Sequence, residues 1–474
     1  MSFYNFDFME QITQTRGREF AYIDETRKVT FAELNIGTKK IAGFLNSIGV
    51  KQNNIVALIL PTYFNWYFTF ALHRMGVGVM SKITYSAFPP EATPDFLISL
   101  KYHPNFPKEK TIVVDPDLMR KIENTDEAEN FFGYADPHSP ARLFSTSGTS
   151  GTTRYICYEA EKLEVLATRK STYDFIGQDH VLAMYPFSSG QNYRLALKNL
   201  YQGRTYYALD SGGAPALDFI RDNPIRTLNA SPTQVSLLLD IQNQTRIDLP
   251  NLNTIILAGS PPSEKLIERI KSQLNCRIFN SYGSTEAGNI GLVEITNGVN
   301  NSPGFDLIHD DVNLEIVDEK DNSVPTLTVG KIRYRKSDTA TSYYKNPAAT
   351  AQFFKDGFFY PGDLGFIDQE GRLVLEGRSS DVINLGGVKV NPERIESIAL
   401  AQLAVRDCAV FARISTSGIE ELAIALVVDA DFKKDAFEKA IAAKLANPIR
   451  QIDIVASIPR NENGKIQRNL LTKH

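Results

Sequence analysis

The sequence predicts an α/β fold: a large N-terminal body of two α/β layered subdomains plus a small β-rich subdomain, followed by a small α+β unit at the C-terminus. Three observations carry this. Short continuous apolar runs at residues 55–60 and 254–258 have the form of strands covered on both faces. Helical stripes alternate with them, and helix–strand–helix order of this kind builds parallel layers. After residue 314 the pattern changes to strands separated by turns, as in a small β-rich unit.

Each element follows from its own residues. Residues 31–48 place Leu34, Ile41, Leu45 and Ile48 on one helical stripe, with Gly49 as C-cap. The strand at 55–60 is ended by Pro61. Residues 63–80 are the most membrane-like stretch, but Asn65, His73 and Arg74 interrupt it. A membrane span needs about 20 mostly apolar residues, so this segment is expected as a buried helix. Residues 86–141 are rich in proline and polar side chains and read as irregular with short elements. The α/β pattern then resumes: strand 204–209, helix 216–222, strand 227–230, helix 232–240, strand 254–258, helix 263–274. The strands of residues 314–334 are separated by turns at Asp321-Asn322-Ser323 and Val329-Gly330. A boundary is expected after Gly377-Arg378-Ser379-Ser380. Beyond it Asn391 is placed as N-cap with Pro392 at the first helical position. Strands at 408–412, 422–428 and 452–455 and a helix at 433–445 complete the C-terminal unit.

Composition limits the function classes. At 474 residues the chain has the length of about three compact units. Its 51 basic and 55 acidic side chains give a net charge of −4, without the basic excess of a nucleic-acid binder. Cys157, Cys276 and Cys408 lie far apart and build neither a disulfide framework nor a paired-cysteine zinc site, which fits a reducing compartment. Residues 1–10 are acidic and lack the basic end and apolar run of a signal peptide. The expectation is a cytoplasmic protein with no membrane span and no nucleic-acid partner.

Four segments carry chemistry. Ser145 to Arg154 holds Thr146, Ser147, Gly148, Thr149, Ser150, Gly151, Thr152 and Thr153 before the arginine. Glycines that let N–H groups turn inward, a run of hydroxyls and a fixed cation suit a polyphosphate. The same composition suits a flexible linker, although strand-like flanks argue for a held loop. It is not a Walker loop, because Gly-Lys-Ser/Thr is missing. The second segment, residues 280–288, contains Ser281, Tyr282, Gly283, Thr285, Glu286 and Gly288. It offers an aromatic for a base, a hydroxyl for a phosphate and a carboxylate for a hard cation, or is a structural turn. The third joins Asp356-Gly357 and Gly362-Asp363 to Gly377-Arg378: a carboxylate and an arginine for ribose, or a hairpin with a surface arginine. The fourth, Asn463-Gly464-Lys465, puts a lysine on an exposed turn near the end of the chain.

In this order and spacing the segments resemble the adenylate-forming superfamily, which includes acyl- and aryl-CoA synthetases, adenylation domains of non-ribosomal peptide synthesis and beetle luciferase. The resemblance runs from about Tyr22 to Arg468. It implies ATP and Mg2+ as cofactors, a small carboxylic acid as substrate, and CoA or the phosphopantetheine of a carrier protein as thiol acceptor. It implies residues 146–154 as the loop over the β- and γ-phosphates, with Gly259, Ser260 and Pro261 and then Ser281, Tyr282 and Gly283 as the adenine walls, Tyr282 stacking on the base. Thr285 would contact the α-phosphate, Glu286 the magnesium, and Asp363 and Arg378 the ribose side of the nucleotide. Lys465 would bridge the attacking carboxylate and the α-phosphate. Phe187, Ser188, Tyr193, Ser281 and Gly288 are expected in the acid pocket. The resemblance further implies a body at 1–378, a hinge at 379–381 centred on Ser380, and a mobile domain at 382–474, with Gly386 and Gly387 along the thiol channel.

The chain departs from that pattern at Thr153 and Arg154, where the loop commonly has proline and lysine. Ser380 stands where Asp or Lys is usual, and Ser188 where CoA synthetases commonly carry histidine. No aspartate is present near Ser188 to hold an α-amine, which disfavours an amino acid substrate. The alternative reading is a catalytically silent, nucleotide- or partner-binding member; retention of Glu286, Asp363, Arg378 and Lys465 together argues against it.

Overall fold

The computed structural model describes residues 6, 8–82, 85, 88–128, 133–147, 153–170, 174, 176, 180–296, 298, 304–379, 383–385, 388–390, 392–402, 404–414, 420–442, 445, 448–460 and 466–471. Within them the fold is α/β, as the apolar runs require. Two large sheets form the N-terminal body. The first has the spatial order Thr111–Val113, Phe96–Ser99, Ile55–Ile59, Gly78–Ser81, Pro140–Ser147, Thr153–Glu159, parallel except for the last hairpin. The second runs Asp306–Leu307, Gly288–Glu294, Arg277–Ser284, Thr254–Ala258, Thr227–Ala230, Val181–Ala183, Tyr206–Tyr207, Phe20–Ile23, Lys28–Thr30. Its central strands are parallel, and Thr227–Ala230 and Thr254–Ala258 are buried at every position. A six-stranded sheet built mainly from residues 313–378 is the β-rich unit.

Local signals explain most boundaries. The helix Phe31–Ser47 starts at a capping box between Thr30 and Glu33, and Gly49 follows it at φ 100°. Pro232–Thr245 begins with the same device, Ser231 with Gln234, and runs five residues past the expected end. Two expectations need correction, and a third is filled in. The segment 86–141, expected to hold short elements, supplies two strands of the first sheet, Phe96–Ser99 and Thr111–Val113, and the helix Pro116–Glu123. Elements of three and four residues are too short to show a period between prolines. The strand at 204–209 shrinks to Tyr206–Tyr207. The buried helix of 63–80 ends at Arg74, and Gly78–Ser81 is a strand. Gly76 makes that break at φ 67°, where a Cβ would lie 2.0 Å from the Gly133 carbonyl oxygen. The buried histidine of that helix is satisfied internally: the two ring nitrogens of His73 meet the Tyr134 and Tyr193 hydroxyls at 2.6 and 2.9 Å. No helix of the described residues is long and apolar enough to cross a membrane.

The C-terminal unit has its own core. Strands Val405–Ile414 and Glu420–Val428 pair antiparallel, and Gln451–Ile454 joins in parallel. The helices Pro392–Leu400 and Lys434–Ala442 pack through Ile395, Phe437 and Ile441 onto Val410, Ile424 and Leu426. Arg468 Nη2 donates to both oxygens of buried Glu396, at 2.7 and 2.8 Å, and the Val410 N–H donates to the same carboxylate at 2.7 Å. The final short helix is thereby anchored to the first helix of the unit.

Candidate active site

The parallel register of the second sheet gathers the expected nucleotide residues along one edge, the carboxyl ends of its strands, where α/β sheets place their ligands. Ala258 and Ser281 are register partners, so Gly259, Ser260 and Pro261 leave one strand beside Tyr282 and Gly283 on the next. Gly259 takes φ 95° to make that exit. The bulge between Tyr282 and Gly283 brings the Thr285-Glu286-Ala287 turn back tightly onto Gly288–Glu294. Only glycine fits at 283, because a Cβ there would lie 2.2 Å from the Gly288 carbonyl oxygen.

Asp363 and Arg378 stand opposite each other in an antiparallel pair of the β-rich unit. Arg378 Nε lies 3.1 Å from Asp363 Oδ1, and the Tyr282 hydroxyl donates to Asp363 Oδ2 at 2.7 Å. This contact joins the two strand systems across 81 residues of sequence. Burial, and then the Asp363 charge, push the Tyr282 hydroxyl well above its ordinary range, so it stays a donor. The Tyr282 ring is largely buried against Phe305 and Tyr334. Asp356-Gly357 instead forms the tip of a plain hairpin, at φ 52° and 77°.

Glu286 is 8% exposed. The Tyr343 hydroxyl donates to its Oε1 at 2.8 Å, and its second carboxylate oxygen accepts no hydrogen bond among the described residues. One oxygen steered and one left open is a disposition that fits a hard cation such as Mg2+. The Glu286 carbonyl is tied down by the Tyr158 hydroxyl at 3.0 Å and the Ala340 N–H at 2.8 Å. Burial, and then the Glu286 charge, raise the Tyr343 hydroxyl far above its usual range.

The hydroxyl-rich segment lies at the tip of a strand hairpin, with Thr146 opposite Arg154 and Ser147 opposite Thr153. The Arg154 guanidinium sits 4.7 Å from the Phe353 ring centre and 5.7 Å from that of Tyr343, one side chain away from Glu286. Gly148, Thr149, Ser150, Gly151 and Thr152 lie outside the described residues, as do Ser380, Gly386, Gly387 and Lys465. The flanks of the last are described. Arg460 and Ile466 form an isolated bridge, and the Gln467 N–H donates to the Pro459 carbonyl at 2.8 Å. Before the expected hinge, the Ser379 N–H and hydroxyl both donate to the Gly362 carbonyl, at 2.8 and 2.9 Å.

The expected acid-pocket residues separate. Phe187 and Ser188 line a cavity of about 940 Å³, together with Ile59, Leu209, Leu238 and Lys82. Gly288 lines a different cavity of about 70 Å³. Tyr193 lines neither: it is fully buried, with its hydroxyl on His73 and the Arg142 guanidinium 4.5 Å from its ring centre. It belongs to the core because the helix Gly190–Tyr201 turns that face toward Phe144 and Phe187. Ser281 is 6% exposed and its hydroxyl has no hydrogen-bond partner among the described residues.

Sequence reasoning missed Tyr343 and Tyr158, which hold the Glu286 turn, and Arg194, whose Nη2 donates to the Thr285 carbonyl at 3.1 Å. The two tyrosines carry no local signal. Arg194 did: with Lys198 it makes an i, i+4 cationic pair on the helix Gly190–Tyr201.

Known proteins share this architecture. The model of the family "AMP-binding enzyme" matches residues 8–344. Enterobactin synthase component E of Escherichia coli (strain K12) is 27% identical over 425 residues, covering 81% of this chain and 78% of the relative. The 4-chlorobenzoate–CoA ligase of Arthrobacter sp is 28% identical over 350 residues, 71% of this chain and 66% of the relative. Among solved structures, O-succinylbenzoate coenzyme A synthetase of Bacillus subtilis, in complex with ATP and magnesium ion, superposes with a TM-score of 0.83. It is 22% identical and covers 98% of this chain and 99% of its own. A family match over most of the chain and a common fold lead to one conclusion: the chain belongs to the AMP-binding enzymes, the adenylate-forming superfamily.

Proposed function

We propose that the chain is an ATP-dependent acid–thiol ligase: it adenylates a carboxylic acid with release of pyrophosphate, then passes the acyl group to CoA or to the phosphopantetheine of a carrier protein. The observation that carries this reading is the meeting of Tyr282, at the end of its strand beside the Thr285–Glu286 turn, with Asp363 and Arg378 of the β-rich unit. Relatives that bear CoA-ligase names support the acid–thiol chemistry.

The chemical difficulty is charge. A carboxylate approaches an anionic phosphate, and both resist the encounter until donors and cations hold them in line. Bound at Glu286, Mg2+ would screen the phosphate charge. Asp363 and Arg378 would hold the ribose, and the backbone at Gly259 and Gly283 would form the adenine walls beside Tyr282. Thr285 would donate to the α-phosphate, while residues 146–154 close over the outer phosphates with Arg154 as their cation. Lys465 would lie between the attacking carboxylate oxygen and the α-phosphate and draw them together. The cavity of about 940 Å³ beside Ser188 has room for the thiol arm that attacks the adenylate. We read residues 1–378 as the body, 379–381 as the hinge and 382–474 as the mobile domain; the pinning of Ser379 to Gly362 supports a swing that starts at Ser380. Three free cysteines fit a cytoplasmic setting.

Pyrophosphate exchange across fatty, benzoic and cinnamic-type acids tests the activity, and silence on every acid with folded protein sinks it. Lys465→Ala is expected to abolish adenylate formation while sparing thioester formation from a pre-made acyl-adenylate. Equal loss in both half-reactions would remove Lys465 from its role. Free CoA and a phosphopantetheinylated carrier, assayed side by side, assign the acceptor.

A further inference from the structure

Behind the Thr285–Glu286 turn lies a constellation that the reading above does not use. The cavity of about 70 Å³ is lined by Arg169, Lys170, Arg194, Lys198, Lys336 and Asp338. On this measure one water needs roughly 10–15 Å³, so the space holds a group of a few heavy atoms and no aromatic ring. Its charges are unbalanced. Asp338 serves both Lys336 and Arg169, Asp311 pairs with Arg169, and Asp174 pairs with Lys198. Lys170 and Arg194 have no carboxylate partner among the described residues. Two buried donors, Arg194 Nε and Gln191 Nε2, meet no acceptor among the described residues. A buried donor left unsatisfied is costly, and a pair of them beside surplus positive charge marks a site for an acceptor that is itself anionic.

The field of the cluster shows in its neighbours. Burial and the Arg169 and Lys336 charges pull His309, on the same wall, down to about 3, so it adds no charge. Burial, Arg169 and Arg194 pull Lys336 down to about 7. The cavity also adjoins the reacting region directly. Arg194 donates to the Thr285 carbonyl and to the Tyr158 hydroxyl, which in turn holds the Thr285 and Glu286 carbonyls at 2.9 and 3.0 Å. The guanidinium packs so closely on Gly288 that a Cβ there would lie 3.0 Å from its Nη1. Gly288 and Asn289, two and three residues beyond Glu286, line the cavity.

We propose that this cavity is an oxyanion subsite for the second carboxylate of a dicarboxylic acid, whose first carboxylate is the one activated beside Thr285 and Glu286. The proposal rests on the acid-adenylating reading and deepens it. A carboxylate matches both the volume and the donor set: Arg194 and Gln191 supply the unmet N–H groups, Arg194 and Lys170 the charge that no carboxylate meets, and Lys336, shared with Asp338, stands on the same wall. A free inorganic oxyanion has the same chemistry, so the test must separate the two.

Pyrophosphate exchange with succinate, glutarate and adipate is measured against butyrate, valerate and hexanoate, their monoacid counterparts. The best dicarboxylate is expected to exceed its counterpart at least tenfold in kcat/KM. In Arg194→Met and Lys336→Met that ratio is expected to fall below threefold, through a raised KM for the dicarboxylate. Thermal unfolding of the ATP-free wild-type protein with each acid and with inorganic phosphate needs no variant, and only the dicarboxylate is expected to protect. Monoacids that match or beat dicarboxylates would overturn the proposal and leave the ligase reading intact. Protection by phosphate equal to that by the best dicarboxylate would overturn it in favour of a free-anion site. Exchange silent on every acid, with dicarboxylate protection lost in Arg194→Met, would sink the ligase reading and keep the subsite. Silence without protection sinks both.

Discussion

Glu286 sits in a turn, yet what orients its carboxylate comes from 57 residues away, where the Tyr343 hydroxyl donates to one of its oxygens. Losing the hydrogen-bond partner of a metal ligand typically costs roughly 10–100-fold in metal affinity. Tyr343→Phe is therefore expected to raise the free magnesium needed for half-maximal pyrophosphate exchange about tenfold; an unchanged midpoint would remove Glu286 from the metal. Lys336 gives a second prediction at this scale. An unfolded lysine titrates near ~10.4, and burial beside Arg169 and Arg194 brings this one to about 7 in the fold. Between those values the unfolded state binds the extra proton, so stability from this group rises as pH climbs from 7 toward 10. Urea unfolding at pH 7 and pH 9, with no oxyanion added, is expected to show that rise in the wild type and a smaller one in Lys336→Met. Identical pH dependence in both would show that Lys336 is not depressed. Motif residues such as Glu286 and Asp363 were legible in the sequence because their signal is local. Tyr158, Tyr343 and Lys336 were not, because a tyrosine or a lysine acquires its role only from what the fold packs against it.

At the scale of elements, the site depends on strand ends. The bulge at Tyr282 and Gly283 lets one turn present Thr285 and Glu286 while its strand continues into an antiparallel return. Gly283→Ala would force a Cβ to within 2.2 Å of the Gly288 carbonyl oxygen unless backbone moves. Overpacking of this kind costs about 1–3 kcal/mol. The variant is expected to lose stability by that amount in urea unfolding and to lose exchange activity at least tenfold. Retention of both would mean that the turn relaxes freely. Strands with a continuous apolar run, Ile55–Ile59 and Thr254–Ala258, were readable to within a residue. The short strands Phe96–Ser99 and Thr111–Val113 were not, because partners in the sheet supply the pairing that their own three or four residues cannot announce.

For the whole molecule, the Glu396–Arg468 contact ties the last described helix to the first helix of the C-terminal unit and frames the segment that carries Lys465. Removing one partner of a buried ion pair costs about 3–5 kcal/mol, because the other charge is left uncompensated. Glu396→Ala is expected to loosen residues 382–474 first, seen as early proteolytic cleavage there while the body stays intact; simultaneous cleavage of both would show that the two are not separable. The sequence by itself determined the α/β class, the order of the motifs and the family, since each is written in short stretches of neighbouring residues and in their spacing. Only the tertiary structure decided that Tyr282 reaches Asp363, that Tyr193 belongs to the core, and that Arg194 and Lys336 meet in one charged cavity behind the Thr285–Glu286 turn. The reason is physical. Periodicity records which face of an element is buried, whereas partners far apart in the chain are chosen by strand register and packing, which no local pattern contains.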